Sequence, residues 1–436
     1  MSRNAGPPSQ EGMSEGNAAH PVVIVGAGLA GLTAGAVAAR AGAPVIILDS
    51  VSPGGRARTE LSEGFRFNRG PHALYRGGAA RRVLGSLGVR PAVHIPPLRG
   101  SHVLIGGRPS PVLSRRVLGA AAAARLTAAF ARIAMTTPAG HAHESTREWI
   151  ATLGLPPRAV TVMEALVRVT SYVSDLDRMS ADVAIGQLRM AVRGVSYPDE
   201  GWQYLVDGLA ARAREAGAEL RPGVKVTQVE GQAAGQWQVS LLTEERIAAS
   251  AVVIAAGTPA ATRHLLPADP GWGDPGPEVT AACLDLGVSH ARTRFALGLD
   301  EPLYLSPHAP PGRLAPEGCG LVHVMRYGSR AAADDRPQLR AAAEASGIGQ
   351  ADIIVERFLP QMVVVTSLPA PGEGLAGRPA AAVPGAPGLF VAGDWVGPDG
   401  WLSDCSLASG AKAGQLAARY ARGATRQASA PGAVKA

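Results

Sequence analysis

Short apolar runs and one alanine-rich segment set the pattern of the first fifty residues. Residues 22–25 form an apolar, β-branched run that is short enough for a buried parallel strand. The alanine-rich segment that follows predicts a helix to about Arg40, and residues 45–48 form a second apolar run. Asp49 directly follows this second run. The order of strand, helix, strand and acid predicts the first unit of an open α/β sheet.

A glycine pattern lies where the first strand meets the helix. Residues 26–31 fit the motif G-x-G-x-x-G, in which Gly26 permits a tight turn and Gly28 lets the backbone approach a pyrophosphate. Gly31 would let the helix pack closely on the strand, while the amides at the helix N-terminus would hold the phosphate charge. The Asp49 carboxylate would accept hydroxyls of an adenosine ribose. Because the motif stands in this order of elements, it predicts a dinucleotide site.

The rest of the chain alternates between helical and strand-like patterns. An apolar stripe of Leu126, Phe130 and Ile133 predicts that one face of a long helix packs into the protein, with Arg125 and Arg132 off that face. Helices are predicted at residues 80–88, 113–135, 146–155, 157–172, 182–193, 203–216 and 336–345. Strands are predicted at residues 103–105, 220–229, 236–242, 246–254, 281–287, 295–297, 304–305, 321–325, 352–358 and 362–367, with a hairpin turn at 106–108.

Composition and charge exclude several classes of protein. Lys and Arg exceed Asp and Glu by 42 to 35, but no basic run with interleaved aromatic residues predicts nucleic-acid binding. The net charge of +7 would also suit peripheral contact with an anionic membrane. Apolar residues make up 46% of the 436 residues, enough for a sizeable core. No uncharged apolar stretch reaches the roughly 18 residues of a membrane span.

The cysteines and the polar ends of the chain complete this picture. Three cysteines without C-x-x-C spacing indicate a reducing cytoplasm and no disulfide framework. Residues 1–19 and 423–436 are expected to be disordered, and the abundance of Gly, Pro and Ala suggests a bacterial coding bias. His141, His143 and Glu144 lack a second, spaced cluster of ligands and are interpreted as the start of a helix. We therefore expect no metal site.

Further motifs resemble those of a known family. Residues 52–59 read Ser-Pro-Gly-Gly-Arg-Ala-Arg-Thr just after the predicted ribose acid, and residues 65–72 end in Gly-Pro-His. Residues 387–396 include Ala-Gly-Asp-Trp, and residues 402–414 begin the last predicted helix. With the glycine motif, these blocks resemble the flavin-containing amine oxidases and the phytoene desaturase and protoporphyrinogen oxidase group. The Ala-Gly-Asp-Trp block is most similar to phytoene-dehydrogenase-like proteins, which suggests bacterial secondary metabolism.

The resemblance, which spans residues 20–422, implies FAD as the cofactor and an α/β fold. A Rossmann-like FAD-binding domain of the glutathione-reductase type would comprise residues 20–80, 201–275 and 386–422. An inserted mixed α+β substrate domain would comprise residues 81–200, mainly helical, and 276–385, mainly sheet. The residues expected to bind FAD are Gly26, Ala27, Gly28, Leu29, Ala30, Gly31, Asp49, Gly54, Gly55, Arg56, Arg58, Gly70, Pro71, His72, Val226, Gly257, Gly393, Asp394, Cys405, Ser406 and Leu407.

The implied reaction moves a hydride from a carbon of a mostly apolar small molecule to flavin N5, with oxygen or another compound as electron acceptor. The candidate catalytic residues are His72, Tyr75, Trp401 and Asp404, and Trp395 is expected near the flavin as well. His72 is the first choice for handling a proton or positioning the substrate, because an imidazole titrates near neutral pH. The Cys405 thiol is interpreted as packed rather than linked to the flavin.

Two departures from the family pattern argue against simple amine oxidation. Residues 271–356 contain no lysine, whereas amine-oxidising relatives often carry one there. Ser406 stands where relatives with an aromatic cage place a tyrosine. Three alternatives stay open: an amine or amino-acid oxidase that releases peroxide, a flavin-dependent isomerase or mutase without net redox turnover, and a catalytically idle, FAD-stabilised scaffold for a partner.

Overall fold

A computed structural model describes residues 20–97, 100–112, 114–232, 235–328 and 332–428. The helices are α1 (Leu29–Arg40), α2 (Ala79–Ser86), α3 (Gly119–Met135), α4 (Thr146–Thr152), α5 (Pro157–Ser171), α6 (Ala181–Val192), α7 (Gln203–Glu215), α8 (Pro259–Leu265), α9 (Ala332–Ala345) and α10 (Ser403–Ala428). The strands are β1 (Val22–Val25), β2 (Val45–Asp49), β3 (Thr59–Ser62), β4 (Phe65–Asn68), β5 (Leu74–Tyr75), β6 (Val93–His94), β7 (His102–Ile105), β8 (Arg108–Pro111), β9 (Val195–Pro198), β10 (Glu219–Pro222), β11 (Val226–Gly231), β12 (Trp237–Leu241), β13 (Arg246–Ala249), β14 (Ala251–Ile254), β15 (Val279–Val288), β16 (Ala296–Gly298), β17 (Leu303–Ala309), β18 (Gly320–Tyr327), β19 (Ile353–Val365) and β20 (Leu389–Val391).

A parallel sheet in the order β10-β2-β1-β14-β20 forms the centre of one layer. Val22 of β1 stands opposite Val45 on one side and Ala251 on the other. Every residue of β1 is buried, as an apolar run between two parallel neighbours should be. The strand, helix and strand predicted from residues 22–49 are confirmed.

Helix α10 packs closely against α1 through two glycines. A Cβ atom at Gly410 would lie 2.3 Å from the Ala30 carbonyl oxygen, and one at Gly414 would lie 2.3 Å from the Ala34 oxygen. The two backbones can approach this closely only because both positions lack a side chain. The contact fixes the position of the α10 N-terminus relative to the glycine motif at the start of α1.

One predicted strand is two strands in the structure. The pattern of residues 220–229 predicts a continuous strand, but β10 joins the parallel sheet while β11 pairs with β12 in a separate antiparallel sheet. Gly223 separates them with a φ of +75°, a left-handed conformation that ends an extended run. The prediction therefore missed a change of direction at one glycine.

A second large sheet has the order β19-β15-β18-β17-β16-β7-β8. Two strands were predicted at residues 352–358 and 362–367, but β19 is continuous over 13 residues and includes Pro360. Pro360 lacks an amide, which an edge strand tolerates, and the pairing with β15 shifts register at this point. The hairpin predicted at residues 106–108 is confirmed by the pairing of β7 with β8.

Helices α3 to α6 pack on one face of the second sheet. The predicted helix at 113–135 starts only at Gly119, because residues 114–118 form a turn whose Ser114 carbonyl accepts from the Gly119 amide; Leu113 lies outside the described residues. Leu126 and Ile133 are buried, so the apolar stripe packs inward as predicted. Contact with an anionic membrane stays a prediction.

Helix α10 extends further than the sequence indicates. It runs to Ala428, so residues 423–428 are helical rather than part of a disordered tail. Residues 1–19 and 429–436, also expected to be disordered, lie outside the described part of the chain. Among the helices that the structure describes, none is both long and apolar enough to cross a membrane.

Candidate active site

A cavity of about 1120 Å³ lies between the carboxyl ends of the parallel strands and the strand β19. Ligands of open α/β sheets bind at this edge, where the loops after each strand meet. Tyr172 and the first turn of α10 close the other end. Many of the residues expected to bind FAD line it, namely Gly26, Gly28, Leu29, Ala30, Asp49, Gly54, Gly55, Arg56, Pro71, His72, Val226, Gly257, Gly393, Asp394 and Ser406.

The glycine-motif end of the cavity fits a dinucleotide. A Cβ atom at Gly28 would meet no protein atom within 4 Å, so this position opens onto free space. Gly28 is also the N-cap of α1 and offers no side-chain hydrogen bond, which leaves the first helical amides free to bind a phosphate. The Ala27 amide donates to Asp49 Oδ2 at 2.6 Å and the Val51 amide donates to Oδ1 at 2.9 Å. These bonds hold the carboxylate against the cavity.

Arg56 and Asp394 join two of the predicted motifs across the cavity wall. Arg56 Nη1 and Nη2 donate to Asp394 Oδ2 and Oδ1 at 2.9 and 2.8 Å, a bidentate pair. Thr366 donates to the same carboxylate from its amide and its hydroxyl, at 3.1 and 2.8 Å. Burial raises the pKa of Asp394, but the charge and hydrogen bonds of Arg56 outweigh it and hold that pKa below its ordinary value. The carboxylate is therefore ionised at neutral pH.

His72 lines the cavity but does not titrate near neutral pH, which corrects the expectation from its sequence. Burial, followed by the charges of His323 and Arg56, lowers the pKa of His72 to about 4. Its Nδ1 lies 2.9 Å from the Gly70 carbonyl oxygen, so Nδ1 carries the proton. The ring also packs edge-on against Trp202 at 4.8 Å. The remaining nitrogen, Nε2, is thus an unprotonated hydrogen-bond acceptor.

Other residues expected to bind FAD support the cavity from behind and do not line it. Cys405 donates to the carbonyls of Gly393 and Val396, and burial raises the pKa of its thiol to about 11. A Cβ atom at Gly31 would lie 1.8 Å from the Gly26 oxygen, which explains why the motif ends in glycine. The predicted binding residues outside the cavity wall are Ala27, Gly31, Arg58, Gly70, Cys405 and Leu407.

Tyr75 and Trp401 lie outside the cavity, although both were candidate catalytic residues. The Tyr75 hydroxyl donates to the Thr170 carbonyl at 2.8 Å, and the Trp401 indole donates to the Ser171 carbonyl at 2.9 Å. Both bonds satisfy carbonyls at the C-terminus of α5. The next residue, Tyr172, has a φ of +64° and lines the cavity. Tyr75 and Trp401 therefore position Tyr172. Trp395 also lies outside the wall, fully buried against Trp272.

Asp404 lies in the first turn of α10 and likewise does not line the cavity. The Ala80 amide, at the start of α2, donates to Asp404 Oδ1 at 2.7 Å. Only 3% of the residue is exposed, and burial raises the pKa of its carboxyl from 3.8 to about 6 although that hydrogen bond opposes the shift. Asp404 thus links α10 to α2 at a cost that depends on pH.

We expect Asp404→Asn to stabilise the protein at neutral pH. Between about pH 4 and pH 6 the folded chain keeps a proton that the unfolded chain has released, so wild-type stability falls as the pH rises through this window. Above it the loss is constant, of the order of 2 kcal/mol at 1.36 kcal/mol per pKa unit. The asparagine oxygen can still accept from the Ala80 amide. Urea unfolding at about pH 4.5 and pH 7.5 should show a larger gain at the higher pH, whereas a less stable variant there would contradict this account.

A buried polar row was not found by sequence reasoning. Arg357 of β19 donates to Asp285 Oδ2 of β15, and His323 of β18 hydrogen-bonds Asp285 Oδ1 at 2.6 Å. Asp285 and His323 are fully buried, whereas Arg357 also lines the cavity. The three residues stand opposite one another only because of the strand register, which no local motif encodes.

The same row contains a candidate set of metal ligands. Cys283, Asp285 and His323 bring a thiol, a carboxylate and an imidazole within 4.8 Å in the described part of the chain. Asp285 Oδ1 already accepts from the Cys283 thiol at 3.1 Å as well as from His323. The Arg357 guanidinium supplies the positive charge beside this carboxylate. We interpret the set as a hydrogen-bonded cluster.

Comparison with known proteins agrees with this geometry. The sequence model of the flavin-containing amine oxidoreductase family matches residues 29–283. No curated protein matches the chain. Among solved structures, cyclohexylamine oxidase from Brevibacterium oxydans is similar over 93% of this chain and 100% of its own, with a TM-score of 0.71 and 16% identity.

Two further solved structures share the fold. An oxidoreductase from Methanosarcina mazei is similar over 90% of this chain and 99% of its own, with a TM-score of 0.70 and 17% identity. Wild-type putrescine oxidase, bound to putrescine, is similar over 91% of this chain and 98% of its own, with a TM-score of 0.68 and 13% identity. The family match covers more than half of the 436 residues. The chain therefore belongs to the flavin-containing amine oxidoreductase family and is an FAD-dependent oxidoreductase.

Proposed function

We propose that the protein takes a hydride from a carbon atom of a mostly apolar small molecule. FAD supplies the hydride acceptor, N5 of its flavin, and passes the electrons on to oxygen or another acceptor. The protein's own part is to bind both molecules, to orient them and to exclude water. The observation that carries the proposal is the character of the cavity wall near the first turn of α10, described next.

The layer around the parallel sheet is proposed to bind FAD. Residues 20–80, 201–275 and 386–422 would form this domain, and residues 81–200 and 276–385 would form the substrate domain. The glycine motif and Asp49 would hold the adenosine and pyrophosphate end, as their free amides and oriented carboxylate allow. The α10 N-terminus would then face the flavin pyrimidine ring.

The far end of the cavity is mainly apolar. Tyr172, Leu359, Met362 and Leu402 line it, together with the small hydroxyls of Ser403 and Ser406. An apolar wall favours an apolar substrate, because burial removes both surfaces from water at about 25 cal/mol per Å². A polar substrate would lose its hydration there without matching hydrogen bonds.

The carboxylates of the cavity wall are already paired or lie at the other end. Asp394 is bound by Arg56, and Glu60 pairs with Arg357 at 2.9 Å and with Arg69 at 3.5 Å. Asp49 lies at the glycine-motif end. Among the described lining residues, no unpaired carboxylate is left to bind the ammonium group of a cationic amine. This favours oxidation of a carbon centre over oxidation of a protonated amine.

An anaerobic absorbance titration tests the proposal. Purified yellow protein would be mixed without oxygen with polyenes, porphyrinogens, saturated ring precursors and amines. We expect bleaching of the flavin band by an apolar donor and none by cationic amines. Bleaching by amines alone would contradict the proposal and favour a peroxide-forming amine oxidase. If no compound bleaches the band, dithionite-reduced protein should be screened for isomerised products, the sign of a redox-neutral enzyme.

We expect His72 to position the substrate as a neutral acceptor at Nε2. His72→Leu should slow flavin reduction by roughly ten- to a hundredfold, since one neutral hydrogen bond contributes about 0.5–1.5 kcal/mol and a misplaced substrate loses more. His72→Gln, which retains an acceptor, should lose less. Because the pKa of His72 is about 4, the rate should show no ionisation of this residue between about pH 5.5 and pH 9.

Stopped-flow measurement of flavin reduction over this pH range separates two roles for His72. A flat profile with the order wild type, His72→Gln, His72→Leu supports the positioning role. A limb near pH 6.5 that disappears in His72→Gln would instead identify a titrating general base. Equal rates in all three proteins would remove His72 from the reaction.

A further inference from the structure

Arg378 is a buried arginine without an anionic partner. Only 7% of the residue is exposed, and its Nε and Nη2 atoms are buried without a hydrogen-bond partner. Its remaining nitrogen, Nη1, donates to the Gly400 carbonyl at 3.0 Å and to the Cys405 sulfur at 3.3 Å. Among the described residues, Arg378 forms no ion pair. An arginine stays protonated in proteins, so this charge is kept out of water without compensation.

The neighbours of Arg378 do not neutralise it. Burial raises the pKa of Cys405 to about 11, so the sulfur that it contacts is an uncharged thiol. The Trp401 ring lies under the guanidinium at 5.0 Å and offers a cation–π contact but no negative charge. Asp394 is matched by Arg56, and Asp404 accepts from the Ala80 amide. A positive potential is therefore left around Arg378.

Arg378 lies directly behind the wall of the cavity. Its two hydrogen bonds reach Gly400, in the turn before α10, and Cys405, in the first turn of that helix. Leu402, Ser403 and Ser406 belong to the same stretch, and they line the cavity from its other side. The helix N-terminus adds a partial positive charge at this place. Guanidinium and helix thus act in the same direction on whatever occupies this end of the cavity.

We propose that Arg378 is a positioning residue that holds the first turn of α10 and, through its charge, favours the reduced state of the bound flavin. The inference rests on the proposed function, in which this end of the cavity holds the flavin. When a hydride arrives, two electrons and one proton are added, and the flavin gains negative charge unless it takes a second proton. A desolvated positive charge nearby stabilises that product and raises the reduction potential.

The test is the reduction potential of the flavin in the purified holoprotein, measured by equilibration with redox dyes. We expect Arg378→Met to lower the equilibrium constant for reduction at least tenfold, which is about 30 mV for a two-electron couple. Arg378→Lys retains the charge and should keep most of the wild-type potential. Because the charge is buried, salt should screen the difference little.

A matched control removes another guanidinium. Arg263 donates to the carbonyls of Trp272 and Gly273 and has a buried Nε without a partner, but it belongs to α8, near the glycine-motif end of the cavity. Arg263→Met should leave the potential unchanged. The apoprotein of Arg378→Met should melt no lower than the wild-type apoprotein, because an uncompensated charge has been removed. Arg378→Gln gives the same comparison if the Met variant accumulates poorly.

The outcomes separate this inference from the proposed function. Equal potentials in wild type and Arg378→Met would overturn the role of Arg378 while leaving the oxidoreductase intact. A loss in Arg378→Lys as large as in Arg378→Met would assign Arg378 to packing alone and also overturn it. A wild-type protein whose flavin no donor reduces in the anaerobic titration would overturn the proposed function first, whatever the potentials show.

Discussion

Purified Gly28→Val should be folded but colourless. The backbone of Gly28 has a φ of −74° and a ψ of −178°, an extended conformation that valine adopts readily, and its Cβ would meet no protein atom within 4 Å. The new methyl groups would fill the space next to the free amides at the start of α1, where the pyrophosphate is proposed to lie. We expect at least about a hundredfold weaker FAD binding, roughly 2.7 kcal/mol.

Gly31→Val is the contrasting substitution in the same motif. A Cβ atom there would lie 1.8 Å from the Gly26 carbonyl oxygen and 3.3 Å from Ala255 Cβ, so the backbone would have to move. Overpacking of this kind costs more than about 3 kcal/mol when backbone is the obstacle. This variant should therefore fail to accumulate as folded protein, although it changes the same motif by the same side chain.

Flavin absorbance, FAD titration of the apoprotein and melting temperature distinguish these cases. Gly85→Val is the control, because Gly85 also has nothing within 4 Å of its Cβ position but lies in α2, outside the cavity. It should keep both its fold and its colour. A yellow Gly28→Val protein with wild-type affinity would contradict the placement of the dinucleotide. Retention of a partner protein by colourless Gly28→Val, with no substrate that reduces the wild-type flavin, would favour the scaffold alternative.

The sequence was most informative where function and local structure coincide. β1, α1 and β2 combine apolar runs, an N-terminal glycine motif and a terminal acid within 28 residues, so local rules define all of them. The structure brings Gly26, Gly28 and Asp49 to one cavity, as those rules require. Strand ends were less predictable. Gly223 and Pro360 are both chain-breaking residues, yet one ends a strand and the other lies inside an edge strand.

What the sequence could not show is contact between distant segments. Asp285, His323 and Arg357 meet through the register of three strands, and Arg378 reaches α10 from a separate loop. The candidate catalytic residues illustrate the same limit. Trp401 and Tyr75 are aromatic residues near the right motifs, but their hydrogen bonds point to the end of α5 and not into the cavity. Proximity in sequence to a motif does not fix the direction of a side chain.

The Arg56–Asp394 pair should give an unequal result when either partner is removed. The Asp394 side chain is 2% exposed, whereas the Arg56 side chain is 39% exposed, toward the cavity that both residues line. Arg56→Met leaves a carboxylate buried with only Thr366 as a partner, and loss of one member of a buried pair costs about 3–5 kcal/mol. Asp394→Asn leaves a guanidinium that water in the cavity can still solvate. We therefore expect its cost in the apoprotein to be smaller, about 1–3 kcal/mol.

Urea unfolding of the two apoprotein variants and of Arg56→Met/Asp394→Leu completes a double-mutant cycle. The double variant removes both charges and should be more stable than Arg56→Met alone, because no buried charge is left unpaired. Thr366→Val is a control that removes one hydrogen bond to Asp394 and should cost about 1 kcal/mol. Equal losses for the two single variants would show that water does not reach Arg56. Additive losses would mean that the bidentate pair does not couple the Gly-Gly-Arg turn to the Ala-Gly-Asp turn, and that the cavity wall is held together by packing instead.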